Sequence, residues 1–448
     1  MYKVARNLLY PLLSLVITLA FISPVLQNRV NAQGASSVTA SDLDAQFAVD
    51  WMSLVYKRVE AEQISAPAAS RIYAYEGVTL YQAVLPGIPG NNTLSGQLNG
   101  LPDMPDIASA TVYDWPTVAN YALFTVSEGL MPKAKDETHQ AYADLRDSQL
   151  EDRKSKVSSD AIKVSQEYGE AVGKVILAWA DKDHFKETRD KAYKMPTGKP
   201  SNWELTTPGT KPVEPFWGNI RPFALESAGN CDVAPNMVFN IDPSSTFYAQ
   251  AIEVKVTRDN LTEEQKAIAN FWVDTPGITG TPAGHWVAIE NQLVDQLHLK
   301  LNTAAEMYAL VGIALGDSFI SCWGLKYEVN LLRPETYIKK YIRKAWTPYI
   351  QTPPFPEYPS GHSVASAAAA EVLTNMFGTV AFVDDTHKIH NLPARSFTSF
   401  EAAASEAAIS RLYGGIHFRA GIENGIRQGR CVGQTVASRI QLQPRGNG

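Results

Sequence analysis

Three short motifs in the C-terminal third of this 448-residue chain put permanent cations and histidines where helices should begin and end, and they limit the possible folds more than any other feature. They read Lys326-x6-Arg333-Pro334, Pro359-Ser360-Gly361-His362 and Ser410-Arg411-x3-Gly415-x-His417. Together they supply three cations, two histidines, a hydroxyl and a glycine amide. Cations gathered in a buried site repel one another unless an anion sits among them. The set therefore suits a tetrahedral or trigonal-bipyramidal oxyanion such as phosphate or vanadate, and requires a fold that brings these helix ends together.

The rest of the chain supplies a fold of that kind. Segments 41–60, 116–130, 135–182, 262–273, 286–320, 361–377, 400–412 and 421–440 have helix-like apolar spacing or high helix propensity. Thr398-x-x-Glu401 reads as a capping box, and Thr262-Glu263-Glu264 puts acids in a first turn. No alternating strand pattern of useful length is present, so the expected class is all-α. The stretch 194–246, rich in Pro, Gly, Asn and Thr, should wrap the surface or link an N-terminal helical layer, 33–245, to a C-terminal bundle, 246–448. A length of 448 residues accommodates a large helical domain or two fused bundles.

With 45% hydrophobic and 19% charged residues, the composition is that of a soluble globular protein. The formal charge of −6 argues against nucleic acid as a partner, because such binders usually show a basic patch or stripe. Any bound anion is then held by local cations. At the N-terminus, Lys3 and Arg6 precede a nearly all-apolar run from Leu8 to Leu26, and Val30-Asn31-Ala32 resembles a signal-peptidase site. Residues 1–32 read as a signal peptide, with the mature chain starting near Gln33 and exported; an uncleaved anchor is the alternative. Later apolar stretches carry Asp317 or Glu371 and read as core helices, so no membrane contact is expected after cleavage. Cys231, Cys322 and Cys431 allow at most one disulfide and show no zinc-ligand spacing.

The chemistry can be read motif by motif. Lys326 and Arg333, seven apart, would share one helix face over two turns, with Pro334 marking the helix end. Lysine offers a point charge and arginine a fork for two oxygens. Ser360 or a neighbour should stand at the N-terminus of an Ala-rich helix, where free amides and the dipole favour an anion. Gly361 lets backbone approach the ligand, and His362, from the first turn, can exchange a proton with a bound oxygen. Arg411 closes the next helix; Gly414-Gly415 permits a left-handed turn that returns His417 to the site. Each motif alone is a common helix cap or solvated face. Their joint order and spacing are not.

The three motifs resemble the signature shared by vanadium-dependent haloperoxidases and the type 2 phosphatidic-acid and acid phosphatases. Ala66-Pro67-Ala68-Ala69-Ser70-Arg71-Ile72-Tyr73, Pro282-Ala283-Gly284-His285-Trp286 and the run from Phe355 through His362 are similar to the soluble bacterial haloperoxidase branch. The resemblance implies helical bundles with the oxyanion at the centre of a C-terminal four-helix bundle. It further implies His417 as the vanadium ligand; Lys326, Arg333, Arg411, Ser360 and the Gly361 amide as holders of vanadate oxygens; and His362 as the acid–base group. Lys326 would polarise peroxide. Hydrogen peroxide and halide would be the substrates, with an organic acceptor as a further partner. Trp323, one turn before Lys326, and Phe355 would form an aromatic wall to the halide pocket.

One position departs from the family pattern. Where members often carry Asp four residues after the ligating histidine, this chain has Gly421. A histidine ligand needs an acceptor on its other nitrogen, so Glu423, Asn424 or a backbone carbonyl is expected to replace it. Two other readings stay open: a vanadate-inhibited acid phosphatase, with phosphate in the same cage and His417 as nucleophile, and a non-catalytic oxyanion-binding protein. Halide preference and oligomeric state are not encoded in any motif.

Overall fold

The computed structural model describes residues 38–109, 111–189 and 191–443. The N-terminal segment read as a signal peptide lies outside them. Fourteen α-helices are found among the described residues: α1 Gln46–Ala61, α2 Ala66–Val84, α3 Trp115–Leu130, α4 Asp136–Lys154, α5 Ser159–Ala180, α6 Phe185–Arg189, α7 Thr246–Asp259, α8 Glu263–Phe271, α9 Thr281–Gln296, α10 Leu301–Val329, α11 Pro334–Tyr341, α12 Gly361–Phe377, α13 Phe400–Tyr413 and α14 Arg419–Arg439. The strands are a short antiparallel pair, β1 Phe382–Asp384 and β2 Arg395–Phe397. The all-α reading holds.

Several sequence expectations change in detail. The run 135–182 is two helices, because Ser158 caps α5 with its side chain on the Ala161 amide. The run 286–320 is also two; α9 ends at Gln296 and α10 starts after Lys300. The capping box expected at Thr398 is not formed. Ser399 is the N-cap of α13 and accepts from the Ala402 amide, which moves the cap one residue on. At α8 Glu263 and Glu264 stand in the first turn as expected, and Thr262 and Gln265 form a reciprocal capping box.

α10 organises the molecule. It is a described helix long and apolar enough to cross a membrane, yet 89% of its most apolar window is buried inside the protein, which makes it the core helix. It packs along α2 on one side and against α12 and α14 on the other. Asp317, mid-helix and fully buried, is satisfied by the backbone amides of Phe223, Ala224 and Leu225 at 2.6, 2.7 and 2.8 Å. The segment 194–246 thus does more than wrap the surface: it buries Trp203, Trp217, Phe223 and Leu225 and meets the core helix. Cys231 in this segment is disulfide-bonded to Cys431 on α14, and Cys322 is a buried free thiol.

α10, α12, α13 and α14 form a four-helix group. The α12–α14 contact is close because glycines recur every fourth residue on α14. A Cβ at Gly429 would come within 2.2 Å of the Val364 carbonyl, and one at Gly433 within 2.6 Å of the Glu371 Cβ. This face meets the Ala-rich face of α12. The side of the bundle where α12 and α14 begin is also where α10 and α13 end.

Candidate oxyanion site

All three motifs meet at that shared end. Lys326 lies in the last turn of α10 and Arg411 in the last turn of α13, where helix dipoles favour cations. Ser360 is the N-cap of α12, its hydroxyl accepting from the Ser363 amide, and Gly361 is the first helical residue. Free amides and a positive dipole end there face the cations' side of the bundle. Arg333 arrives by a route different from that expected. α10 stops at Asn330, in left-handed conformation, and Arg333 is the N-cap of α11 with Pro334 as its first residue. Pro334 therefore starts a helix instead of ending one, and Lys326 and Arg333 converge from two helices, not from one face.

The cations are buried and tightly held. Lys326 Nζ donates to the carbonyls of Pro356 (3.2 Å), Glu357 (3.1 Å) and Pro359. Arg333 donates through Nε to the Phe355 carbonyl and through Nη1 to the Ile416 carbonyl and to His417 Nε2, at 2.9, 2.9 and 3.0 Å. Its Nη2 is buried without a partner. Arg411 donates to Ser410 Oγ at 2.8 Å and to the Trp272 carbonyl. Burial pushes Lys326 down to about 8, with Arg333 adding to the effect, and Arg333 and Arg411 down to about 10. Three positive charges thus share an interior that disfavours each of them.

His417 is buried, and its ring has a defined tautomer. Burial and the neighbouring cations Arg333, Lys326 and Arg411 hold it well below the usual histidine range, so it is neutral. Its Nδ1 lies 2.9 Å from Glu357 Oε1, which also accepts the Phe418 amide at 3.0 Å. The proton is then on Nδ1, and the Nε2 lone pair points toward Arg333. Gly415, at φ 75°, supplies the left-handed turn that brings the ring back. The acceptor expected on Glu423, Asn424 or a backbone carbonyl is instead Glu357. Glu423 is exposed, and Asn424 bonds Asn236. A Cβ at Gly421 would lie 2.4 Å from Glu357 Oε1, so the glycine vacates the space that the glutamate fills. Burial raises Glu357 to about 7 against the pull of Arg333 and Lys326, leaving the cage positive overall.

His362 stands in the first turn of α12 with 16% of its side chain exposed and Nε2 unpartnered. Burial, then Arg411, hold it well below its usual range, with Asp274, 3.9 Å away, opposing. Trp323 and Phe355 do meet: their ring centroids are 4.9 Å apart, and Lys326 Nζ is 5.5 and 5.2 Å from them. Gly361 packs against Trp323, where a Cβ would be 3.2 Å from the ring. Sequence reasoning missed Glu357 and Asp274, both lone acids on irregular segments.

The arrangement fits an oxyanion. Three buried cations, an unpartnered guanidinium nitrogen, an α-helix N-terminus and an imidazole lone pair share one small region, opposed by the partly neutralised Glu357 and by Asp274 on the side of His362 and Arg411. The donor set suits vanadate as well as phosphate, since a neutral imidazole nitrogen is a metal ligand.

Residues 306–446 match the family described as the VCPO second helical-bundle domain. Among solved structures, a bacterial vanadium-dependent iodoperoxidase is 36% identical over 90% of this chain and 98% of its own, with a TM-score of 0.84. The holo-type and apo-type structures of a bacterial vanadium-dependent chloroperoxidase each cover 92% of this chain and 96% of their own at a TM-score of 0.60; identities of 13% and 14% make that a likeness of fold alone. No curated protein matches. The length and level of the iodoperoxidase match show that this chain belongs to the vanadium-dependent haloperoxidases, a family of peroxidases.

Proposed function

We propose that the cage holds vanadate with His417 Nε2 as its one protein ligand, and that the protein oxidises halide with hydrogen peroxide to hypohalous acid. The geometry that supports this reading is His417 held between Glu357 at Nδ1 and Arg333 Nη1 at Nε2, with the unpartnered Nη2 on the same guanidinium. Arg333 and Arg411 would hold the oxygens together with Ser360 Oγ and the Gly361 amide, and Lys326, whose three N–H groups already donate to carbonyls, would add its charge. Vanadium(V), when bound, supplies Lewis acidity toward a peroxide oxygen without changing oxidation state.

The chain's own residues do the rest. Lys326, braced by three carbonyls, presents a localised charge next to the Trp323–Phe355 wall and polarises whatever oxygen lies against it. His362, kept neutral by burial and by Arg411, is a base toward an incoming peroxide, and an anion beside it would raise its affinity for that proton. The aromatic pair limits water at the halide side. Iodide is the first halide to assay, because the 36% identical relative is an iodoperoxidase. We further propose export through residues 1–32, with N-terminal sequencing expected to start near Gln33.

The test is to load the purified protein with vanadate and follow peroxide-dependent oxidation of iodide, bromide and chloride, with p-nitrophenyl phosphate in parallel. Halide turnover that depends on vanadate is expected. Phosphate-ester cleavage inhibited by vanadate, without halide turnover, would replace this reading with the phosphatase one.

A further inference from the structure

Behind His362 lies a second cluster, of which only Asp274 borders the oxyanion cage. Asp274, on the α8–α9 connection, His285, on the first turns of α9, and His387, in the turn after β1, bring their polar atoms to one point, all fully or almost fully buried. His285 Nδ1 is 3.2 Å from His387 Nε2 and 3.2 Å from Asp274 Oδ1, and His387 Nε2 is 3.3 Å from the same oxygen. Three donors thus form a nearly equilateral triangle. A tetrahedral ion with bonds of about 2.0–2.1 Å imposes ligand separations of about 3.3–3.4 Å, so the triangle has the size of one face of such a site.

The surroundings of His285 match as well, whereas His387 Nδ1 is buried without a partner. The far nitrogen of His285, Nε2, lies 2.9 Å from Asp384 Oδ2 and 3.0 Å from Thr386 Oγ1. Metal-bound histidines almost always give their second N–H to a carboxylate in this way, which fixes the ligating tautomer. Trp272 stacks on the His285 ring at 4.4 Å, and Phe271 meets both His285 and His387 at 5.4 and 5.1 Å, so the site is walled by aromatic rings. Asp274 is held in a positive-φ conformation, φ 46°, which turns its carboxylate inward.

We propose that Asp274, His285 and His387 bind a first-row divalent cation, zinc by donor type, with Asp384 orienting His285. Two imidazoles and a carboxylate are an ordinary nitrogen–oxygen set for that ion. Its role is structural: it ties the β1–β2 hairpin and the α8–α9 connection to α9, and so sets where Asp274 stands beside Arg411 and His362. The proposal does not rest on the vanadate reading, and its readout is metal content.

The experiment uses the full chain freed of any polyhistidine tag, loaded with zinc, passed through a chelating resin, and analysed for all first-row metals. About one zinc per chain is expected from these three ligands, with a water as the fourth. Cobalt(II) in its place should give the intense visible bands of four-coordinate geometry. His387→Gln should remove the bands and bring zinc below about a tenth of an equivalent, and Asp384→Asn should weaken zinc roughly 10–100-fold. Circular dichroism checks that each variant is folded, and Asp384→Asn serves if His387→Gln is not. Wild-type protein that retains no zinc and gives no cobalt bands would overturn the proposal and leave His285 as an imidazolium held between two carboxylates. So would stoichiometric zinc that both variants keep with unchanged affinity.

Discussion

The exchange between Gly421 and Glu357 predicts a compensation that can be measured. Glu357→Ala leaves two buried donors, His417 Nδ1–H and the Phe418 amide, without the oxygen they share at 2.9 and 3.0 Å. Loss of such an outer partner weakens metal affinity roughly 10–100-fold, or about 1.4–2.7 kcal/mol. An opposing effect is the removal of a negative group near a bound anion. It is the smaller one, because burial already raises Glu357 to about 7 and Lys326 and Arg333 face it; working near pH 6 reduces it further. Gly421→Asp alone should also weaken binding and destabilise the fold. Its Cβ would come 2.4 Å from Glu357 Oε1, and overpacking of that kind costs about 1–3 kcal/mol. In the double variant the introduced aspartate occupies the vacated space one turn after His417 and can accept its proton. The two losses should then fail to add, with a coupling of roughly 0.5–3 kcal/mol. Calorimetric titration of vanadate into the four proteins gives the cycle, and urea unfolding gives the stability counterpart. Simple additivity would refute the claim that Glu357 and position 421 are alternative seats for one acceptor.

Vanadate at a hundred times its dissociation constant should stabilise the wild-type protein by about 2.7 kcal/mol; His417→Ala should abolish that shift in a thermal melt, and an unchanged shift would mean another group binds the anion. His362→Ala should keep most vanadate affinity while losing roughly 10²–10⁴-fold in peroxide-dependent rate; equal losses in both would make His362 a cage residue. Glu76 is fully buried with one oxygen on Ser127 Oγ at 2.8 Å and the other unpartnered, and burial raises it to about 8. A carboxyl raised on folding contributes its full stability below its unfolded value and loses it as pH climbs toward the folded one. Wild-type stability should therefore fall relative to Glu76→Gln between about pH 5 and 8, by on the order of a few kcal/mol; parallel urea midpoints across that range would count against it.

Much of the fold could be read because its helices carry local signals. Glu263 and Glu264 after Thr262, Ser360 ahead of an Ala-rich run and Gly415 after Arg411 each act within one turn, and each stands where expected. The misses are also local in origin. α2 is buried on nearly every side, so it has no polar face to set a period. The breaks after α4 and α9 fall in four-residue links, at Ser155–Ser158 and Leu297–Lys300, that a propensity window averages away. Pro334 is ambiguous for a physical reason: proline is disfavoured inside a helix but favoured at its first position. The chain uses the second property.

The cage was legible for a different reason, and its supports were not. Lys326, Arg333, Arg411, His362 and His417 lie at helix ends, within short motifs whose residue types already state their chemistry. What orients them comes from distant segments. Glu357 reaches His417 across 60 positions, and the carbonyls that brace Lys326 lie 30 to 33 positions away. Gly421 pointed to a missing acceptor but could not say where the replacement stood, since a search one turn along the same helix finds only exposed Glu423 and Asn424, already bonded to Asn236. The glycine makes physical sense only with Glu357 beside it: one residue lacks a side chain where another needs the room. The Asp274–His285–His387 group follows the same logic, assembled from a loop, a helix and a hairpin turn that no spacing rule connects. In this protein the groups proposed to hold the anion belong to motifs, and the groups that fix their protons and positions belong to the tertiary fold.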